Sequence, residues 1–186
     1  MTFSTLSICL TEKTMDKSKG FECDESTKAE FSNFIKAAFS ACTCLVIQTP
    51  ADPQSPIDMY LTASTESGSF TYAFELKERQ YPYLSDRYGC EGQDDGWVLE
   101  DWKIKNFKDA EAAGYQAVYV NFYPDDIIRI WNLSKAPEGA LDRRGGNRTY
   151  HRHTVDDEGG TYSKAKVELF NDWAKDFRRD TYEPVD

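Results

Sequence analysis

Long apolar runs are missing from this sequence of 186 residues. The apolar run at residues 44–47 is four residues long, whereas a membrane-spanning helix needs about 20. Residues 1–10 carry no basic cluster and no small-residue cleavage pattern, so they do not resemble a secretory signal. These absences predict a cytoplasmic protein without a membrane span.

Cysteine and positive charge are also scarce. The 5 cysteines form an odd set without a CxxC pair, which fits neither a disulfide framework nor a zinc ribbon and predicts reduced thiols. They are Cys9, Cys23, Cys42, Cys44 and Cys90. The net charge of −10 means that the molecule as a whole repels polyanions. A nucleic-acid role would therefore need local basic patches or bound cations.

Several catalytic motifs are missing as well. The chain contains no G-x-S-x-G elbow, no Walker A loop and no dinucleotide-binding fingerprint. Acyl hydrolase, nucleotide hydrolase and Rossmann interpretations therefore lack support.

Apolar and aromatic residues, by contrast, are abundant enough for a packed core. Hydrophobic residues make up 40% of the chain and aromatic residues 14%, which excludes an intrinsically disordered chain. The length predicts a single domain over residues 1–186. A helix is predicted from Thr27, after a cap at Asp24 or Ser26, because apolar residues recur at helical spacing. They are Phe31, Phe34, Ile35, Ala38 and Phe39.

A β-hairpin is predicted after a short strand at residues 43–48. Apolar residues alternate over 57–63 (Ile57, Met59, Leu61, Ala63) and again over 70–77, and the polar cluster 66–69 separates the two segments. If the hairpin turns between residues 66 and 67, Asp58 lies opposite Glu75. Lys77 shares the face of Glu75.

The rest of the chain predicts two more helices and a second hairpin. A helix is expected over 97–113 with Asp95 as its cap, followed by strands Gln116–Phe122 and 127–133 around the turn Pro124-Asp125. The last helix is expected over 163–179. Together these elements predict an α/β sandwich around a mixed sheet, with a core at about 27–133 and a basic loop and C-terminal helix at 134–186.

The two acidic residues predicted to lie opposite each other in the first hairpin indicate a binding site for a cation. Carboxylates at directly opposed positions, with Cβ atoms about 5 Å apart, repel each other unless a cation lies between them. A divalent ion would remove that repulsion, and Lys77 could bring an ammonium to whatever the ion holds. The alternative interpretation of these residues is a solvated strand edge.

Asp58, preceded by Pro56-Ile57, and Glu75-Leu76-Lys77 on the next strand resemble the PD-(D/E)xK nuclease superfamily. The order of elements over 27–133 is similar to that of the family core. The resemblance implies a restriction-endonuclease-like three-layer sandwich with a central mixed β-sheet flanked by helices.

The resemblance also implies an activity, a cofactor and a partner. Asp58 and Glu75 would bind Mg²⁺ or Mn²⁺, while Lys77 would orient or activate the attacking water and stabilise the charge of the phosphorane. Glu30 would be a further metal ligand from the first helix, although an ordinary acidic residue in a first helical turn explains it equally well. The chain would be a Mg²⁺-dependent endo- or exodeoxyribonuclease acting on DNA, and whether it works as a homodimer stays open.

Residues that could bind nucleic acid lie mainly after the second hairpin. Four arginines without an intervening acid, Arg143, Arg144, Arg148 and Arg152, could clasp phosphates, and a solvated basic loop is the alternative. The long connection 78–96 is a candidate substrate loop, in which Arg79, Tyr81, Tyr83, Arg87 and Tyr88 could contact bases.

Two further pairs of residues favour ordinary roles. His151 and His153 are two ligands without a third, so solvent-exposed histidines are favoured over a zinc site. Glu100 and Lys103 are interpreted as a surface pair, with support of the metal site as the alternative. The competing function for the whole chain is a non-catalytic acidic binding protein, either a degenerate nuclease fold or a nucleic-acid mimic.

Overall fold

The computed structural model describes residues 25–52, 55–79, 98–141, 144–145, 149–150, 162–163, 166–169 and 173–185. Two helices, α1 and α2, and eleven strands occur in these ranges, together with a 3-10 helix at Leu133–Lys135. In chain order they are α1 Glu25–Ala38, β1 Cys44–Gln48, β2 Met59–Thr65, β3 Gly68–Glu78, β4 Val98–Glu100, α2 Asp101–Ala112, β5 Gln116–Phe122, β6 Ile127–Asn132, β7 Arg144–Gly145, β8 Thr149–Tyr150, β9 Tyr162–Ser163, β10 Lys166–Glu168 and β11 Lys175–Arg178.

A six-stranded mixed sheet with the order β1-β2-β3-β5-β6-β11 forms the centre of the fold. β3 and β5 are parallel, and α2 lies between them in sequence as parallel strands require, whereas the other neighbouring pairs are antiparallel. The small strands form a second sheet, β4-β10-β7, and the pair β8-β9. The predicted α/β class with a central mixed sheet is confirmed.

The first hairpin has the predicted register. Met59 pairs with Phe74 and Thr65 pairs with Gly68, so the turn is centred between residues 66 and 67. The paired register ends at Met59, because the N–H of Asp58, one residue earlier, donates its hydrogen bond of 2.9 Å to the carbonyl of Phe74, the partner of Met59, and not to Glu75. The second hairpin is confirmed too, because β5 and β6 pair from Val118 with Asn132 to Phe122 with Ile128.

Helices cover both faces of the main sheet. α1 packs its aromatic stripe on one face, where Phe31 contacts Phe74 and Phe122 edge to face. α2 contributes Ile104, Phe107 and Ala110 to a second cluster on the opposite face. That cluster also contains Ala73, Leu99, Ala117, Tyr119, Trp131, Leu133, Val167 and Leu169.

Two details differ from the prediction: the residue at which α2 begins, and the face of the sheet on which Ile57 packs. α2 begins at Asp101 instead of Trp97, because residues 98–100 form β4 and bond to β10, with Leu99 fully buried. The predicted cap Asp95 lies outside the described residues. Ile57 packs in the α2 cluster, apart from Met59 on the other face. The alternation fails there because β2 begins only at Met59.

The predicted C-terminal helix over 163–179 is wrong. Its described residues form strands, and Val167 and Leu169 are both buried two positions apart, which is strand spacing. β11 pairs antiparallel with β6 and supplies the sixth strand of the main sheet. The central sheet therefore extends beyond the predicted core at 27–133.

Two smaller points concern membrane spans and thiols. Within the described ranges, neither helix has the length and apolar character needed to cross a bilayer. Cys42 and Cys44 are free thiols, as predicted. The other three cysteines lie outside the described residues.

Candidate active site

Asp58 lies immediately before β2 and presents its carboxylate to the neighbouring strand. Its Oδ2 accepts a hydrogen bond of 2.8 Å from the backbone N–H of Leu76. Its Oδ1 lies 3.7 Å from Nζ of Lys28 on α1. The carboxylate therefore accepts a backbone hydrogen bond from β3 just before the start of β2. It also pairs with a lysine on the α1 side of the sheet.

Glu75 is a buried acid in the middle of the sheet, with 6% of its surface exposed. It lies between Phe74 and Leu76, which pack on the α1 face, so its side chain is directed to the α2 face. There it forms an ion pair with Lys103 of α2. Burial of a carboxylate is costly without such a partner, because the charge loses its hydration.

Lys77 follows Glu75 on the same face of β3 and is half-buried. The hairpin therefore places Asp58 directly before β2 and Lys77 on the face of Glu75. The carboxylate of Asp58 takes its cation from α1 and that of Glu75 takes its cation from α2, so the two acids are directed to opposite faces of the sheet and do not face each other as predicted. In the part of the chain that the structure describes, no group of three or more His, Cys, Asp or Glu side chains could hold a metal ion.

The pair of carboxylates fits a magnesium or manganese ion by the chemistry of its donors. Mg²⁺ prefers hard oxygen ligands and is commonly held by one or two carboxylates, with waters and substrate phosphates completing its shell. Asp58, directly before β2, and Glu75 of β3 supply two such side chains. One ion held by both would require these carboxylates to turn away from Lys28 and Lys103, which lie on opposite faces of the sheet.

Glu30, the predicted third acid, is engaged elsewhere. Its two carboxylate oxygens accept hydrogen bonds of 2.5 Å and 2.7 Å from Arg179. Arg179 also lies 3.8 Å from Glu78 and donates to the carbonyl of Tyr123 at 3.2 Å. The bond to Glu30 is the largest cause of a raised pKa of Arg179. Metal binding by Glu30 would require this pair to open.

The predicted nucleic-acid contacts are only partly described. Arg79 is half-buried, and its Nη2 donates a hydrogen bond of 3.1 Å to the hydroxyl of Tyr119. Arg144 lies in β7, which pairs with β10. The remaining predicted residues lie outside the described ranges: Arg143, Arg148, Arg152, Tyr81, Tyr83, Arg87, Tyr88, His151 and His153.

Lys103 contacts the candidate site, a role that the sequence analysis gave only as the alternative to a surface pair. It was interpreted as a surface partner of Glu100, whereas its ion pair with Glu75 crosses from α2 to the centre of the sheet. One signal could have identified it. A cation in the first turn of a helix is disfavoured by the helix dipole, so Lys103 needs a compensating acid that local sequence does not specify.

Polar residues continue across the sheet on the α2 face. Glu75, Asn121 and Arg129 are buried on the three adjacent strands β3, β5 and β6, and Asn121 pairs with both Lys77 and Arg129 in register. We call these three residues the polar row. Three of the four buried polar or charged residues among those described belong to it. A polar row in the middle of a sheet is unusual, because such strands normally bury apolar side chains.

Arg129 is held in the polar row by Asp176 of β11. Its Nε and Nη2 each donate a hydrogen bond of 2.6 Å to one carboxylate oxygen, a bidentate pair. Burial lowers the pKa of Arg129, and the hydrogen bonds that Arg129 donates to Asp176 oppose that effect. β11, the sixth strand of the main sheet, thereby supplies a carboxylate that bonds to the polar row.

Replacement of Lys103 by methionine is expected to destabilise the protein by about 2 to 4 kcal/mol, because it leaves the buried Glu75 carboxylate without its cation. Chemical denaturation would measure the loss. The matched control is Lys105→Met, since Lys105 is 81% exposed and pairs with Asp109 within one helix. That change should cost less than about 0.5 kcal/mol, and equal losses in the two variants would contradict the importance of the Glu75 pair.

Comparisons with known proteins give a structural likeness but no family. A scan against protein-family models and a search of curated proteins found no match. Among solved structures, the chain is similar to Hjc, a Holliday junction resolvase of the archaeal hyperthermophile Archaeoglobus fulgidus. The two share 13% identity with a TM-score of 0.37, over 74% of this chain and 86% of the resolvase.

Proposed function

We propose that this protein is a metal-dependent nuclease that hydrolyses phosphodiester bonds of DNA. The observation that supports the proposal is the first hairpin, which places Asp58 directly before β2 and puts Glu75 and Lys77 on one face of the adjacent strand β3. These are the three residues on which the resemblance to the PD-(D/E)xK superfamily rests.

Each residue has a distinct part in the proposed reaction. Asp58 and Glu75 would hold Mg²⁺ or Mn²⁺, which when bound supplies a water of lowered pKa and offsets phosphate charge. The ammonium of Lys77 would orient the attacking water and stabilise the negative charge that develops on the phosphorane. Lys103 would fix the carboxylate of Glu75, and the backbone N–H of Leu76 would fix that of Asp58.

Substrate binding belongs to the same proposal. With a net charge of −10, the protein needs local cations to hold DNA. Arg79 lies two residues beyond Lys77 on the same strand face, and Arg143, Arg144, Arg148 and Arg152 would add phosphate contacts. Cleavage of both strands of a duplex would be served by a homodimer.

A second candidate is supported by one specific observation. Both acids of the proposed site have lysine partners from the flanking helices, Lys28 for Asp58 and Lys103 for Glu75. A degenerate site could use these pairs purely for stability. The protein would then be a non-catalytic acidic protein that binds a nucleic-acid enzyme through its negative charge.

One experiment separates the two candidates. Purified protein is incubated with linear, nicked, branched and single-stranded DNA in Mg²⁺, Mn²⁺ or EDTA, and its melting temperature is measured under the same conditions. The nuclease proposal predicts cleavage that EDTA abolishes. It also predicts a melting temperature raised by about 5 °C or more at metal concentrations 100-fold above Kd.

The matched control is the double variant Asp58→Asn/Glu75→Gln, which should lose both cleavage and the metal-dependent increase in melting temperature. Absence of cleavage together with an unchanged melting temperature in the unmodified protein would overturn the nuclease proposal. That result would favour the acidic binding protein.

A further inference from the structure

The polar row contains a buried amide that has no role in the reaction proposed above. Asn121 lies on β5 and has no exposed surface. Its Nδ2 donates a hydrogen bond of 3.4 Å to the hydroxyl of Tyr123. Its Oδ1 accepts no hydrogen bond from any residue in the described ranges. A buried acceptor without a donor costs free energy, so its presence in a central strand requires an explanation.

Cationic side chains flank this amide on both sides. In register, Asn121 pairs with Lys77 of β3 and with Arg129 of β6, and all three side chains lie on the α2 face. Asp176 fixes the guanidinium of Arg129 through two hydrogen bonds. Lys77 is attached by a flexible four-carbon chain. Strands in a sheet are about 4.8 Å apart, so a side chain of this length can span the distance from β3 to Asn121.

We propose that Asn121 is a positioning residue whose Oδ1 accepts a hydrogen bond from the Lys77 ammonium and holds it on the α2 face, next to Glu75. This inference rests on the proposed nuclease function, in which Lys77 acts on the attacking water and the phosphorane. The amide would restrict a long side chain to the geometry that the reaction needs. Small errors in such geometry are costly in rate.

Kinetics on substituted proteins test this role. Asn121→Leu removes the acceptor at similar volume and is expected to lower kcat about tenfold with KM nearly unchanged. Asn121→Asp keeps an oxygen acceptor and should retain kcat within about threefold of the unmodified protein.

The chain offers a matched control in Asn132, whose Oδ1 is likewise buried without a partner among the described residues. Asn132 alternates with Ile128 and Ile130, which pack on the α1 side, so it is directed away from Lys77. Asn132→Leu should leave kcat unchanged. Equal loss of kcat in Asn121→Leu and Asn132→Leu, or no loss in Asn121→Leu, would overturn the inference.

A spectroscopic measurement separates this inference from the proposed function. Lysine ammonium protons held by an acceptor exchange slowly with water, and their ¹H–¹⁵N signals persist at a fixed, mildly acidic pH. The Lys77 signal, assigned by its loss in Lys77→Met, is expected in the unmodified protein and in Asn132→Leu but not in Asn121→Leu. A Lys77 signal of equal intensity in Asn121→Leu would overturn the inference. If the protein cleaves no DNA, the nuclease proposal fails, and the ammonium spectrum alone decides the role of Asn121.

Discussion

Glu75→Gln is expected to reduce metal-dependent DNA cleavage by about 10³-fold, because it removes a charged metal ligand while preserving the shape of the side chain. Metal ions stabilise charge in such transition states by several kcal/mol, and each 1.36 kcal/mol corresponds to a factor of ten in rate. Asp58→Asn and Lys77→Met should cause losses of similar size. Initial rates on a fluorescent duplex with saturating Mg²⁺ or Mn²⁺ would measure these effects.

Loss of folding must be distinguished from loss of chemistry, since Glu75→Gln also leaves Lys103 without its carboxylate. The double variant Glu75→Gln/Lys103→Met removes both charges and should recover much of the lost stability. Its cleavage should nevertheless stay at the level of Glu75→Gln. Glu66→Gln, at an exposed acid in the hairpin turn, is the matched control and should cleave normally. Cleavage restored in the double variant would contradict a ligand role for Glu75.

Arg129→Met is expected to destabilise the fold by about 3 to 5 kcal/mol, the largest loss of stability that we predict. The guanidinium is almost fully buried, and its removal takes away the group to which both carboxylate oxygens of Asp176 are hydrogen-bonded. The bidentate pair also joins β11 to β6, so the sixth strand should be weakened. Chemical denaturation followed by circular dichroism would measure the change.

Two further variants serve as controls for the loss of stability expected in Arg129→Met. Arg178 is an exposed residue at the end of β11, so Arg178→Met should change stability by less than about 0.5 kcal/mol. Arg129→Met/Asp176→Leu replaces both charges by apolar groups and should recover at least half of the loss, because no charge remains buried alone. A loss below about 1 kcal/mol in Arg129→Met would mean that the pair contributes little to stability.

Both hairpins could be predicted because their signals are local. In the first, alternating apolar residues specify two strand faces, and the polar cluster at 66–69 specifies the turn, so the register of Met59 with Phe74 follows from sequence. The same holds for β5 and β6 around Pro124-Asp125. The amphipathic stripe of α1 is equally local. These elements needed no information from distant parts of the chain.

The errors concern elements whose structure depends on distant partners. Residues 98–100 form a strand because β10 pairs with them, although they directly precede a helix. The sequence of β11, Lys-Asp-Phe-Arg, has no strand character of its own. Its strand is stabilised by pairing with β6 and by the Arg129 to Asp176 bonds, which join positions 47 residues apart. Apolar spacing over 163–179 favoured a helix because that signal ignores such pairing.

The candidate site divides in the same way. The placement of Glu75 and Lys77 on one face of β3, with Asp58 directly before β2, follows from local sequence, whereas the direction of the Asp58 carboxylate toward Lys28 of α1 was not predicted. The roles of these residues as metal ligands and catalytic lysine stay predictions. The partner of Glu75 could not be predicted, because Lys103 reaches it from a helix 28 positions later. Asn121 gave no signal at all in sequence. A lone amide in an apolar strand acquires meaning only when neighbouring strands place cations next to it.

The late position of β11 in the chain has a consequence for folding. During synthesis, α1 and the other five strands of the main sheet emerge well before residues 175–178, so the pairing edge of β6 stays open in the interval. An open strand edge can pair with other chains. Until Asp176 has been synthesised, Arg129 cannot bond to it, which disfavours early burial of Arg129 on the α2 face. We therefore expect nascent or truncated forms that lack β11 to self-associate. During overproduction, slower translation of the segment between β6 and β11 should increase the fraction of the protein that aggregates.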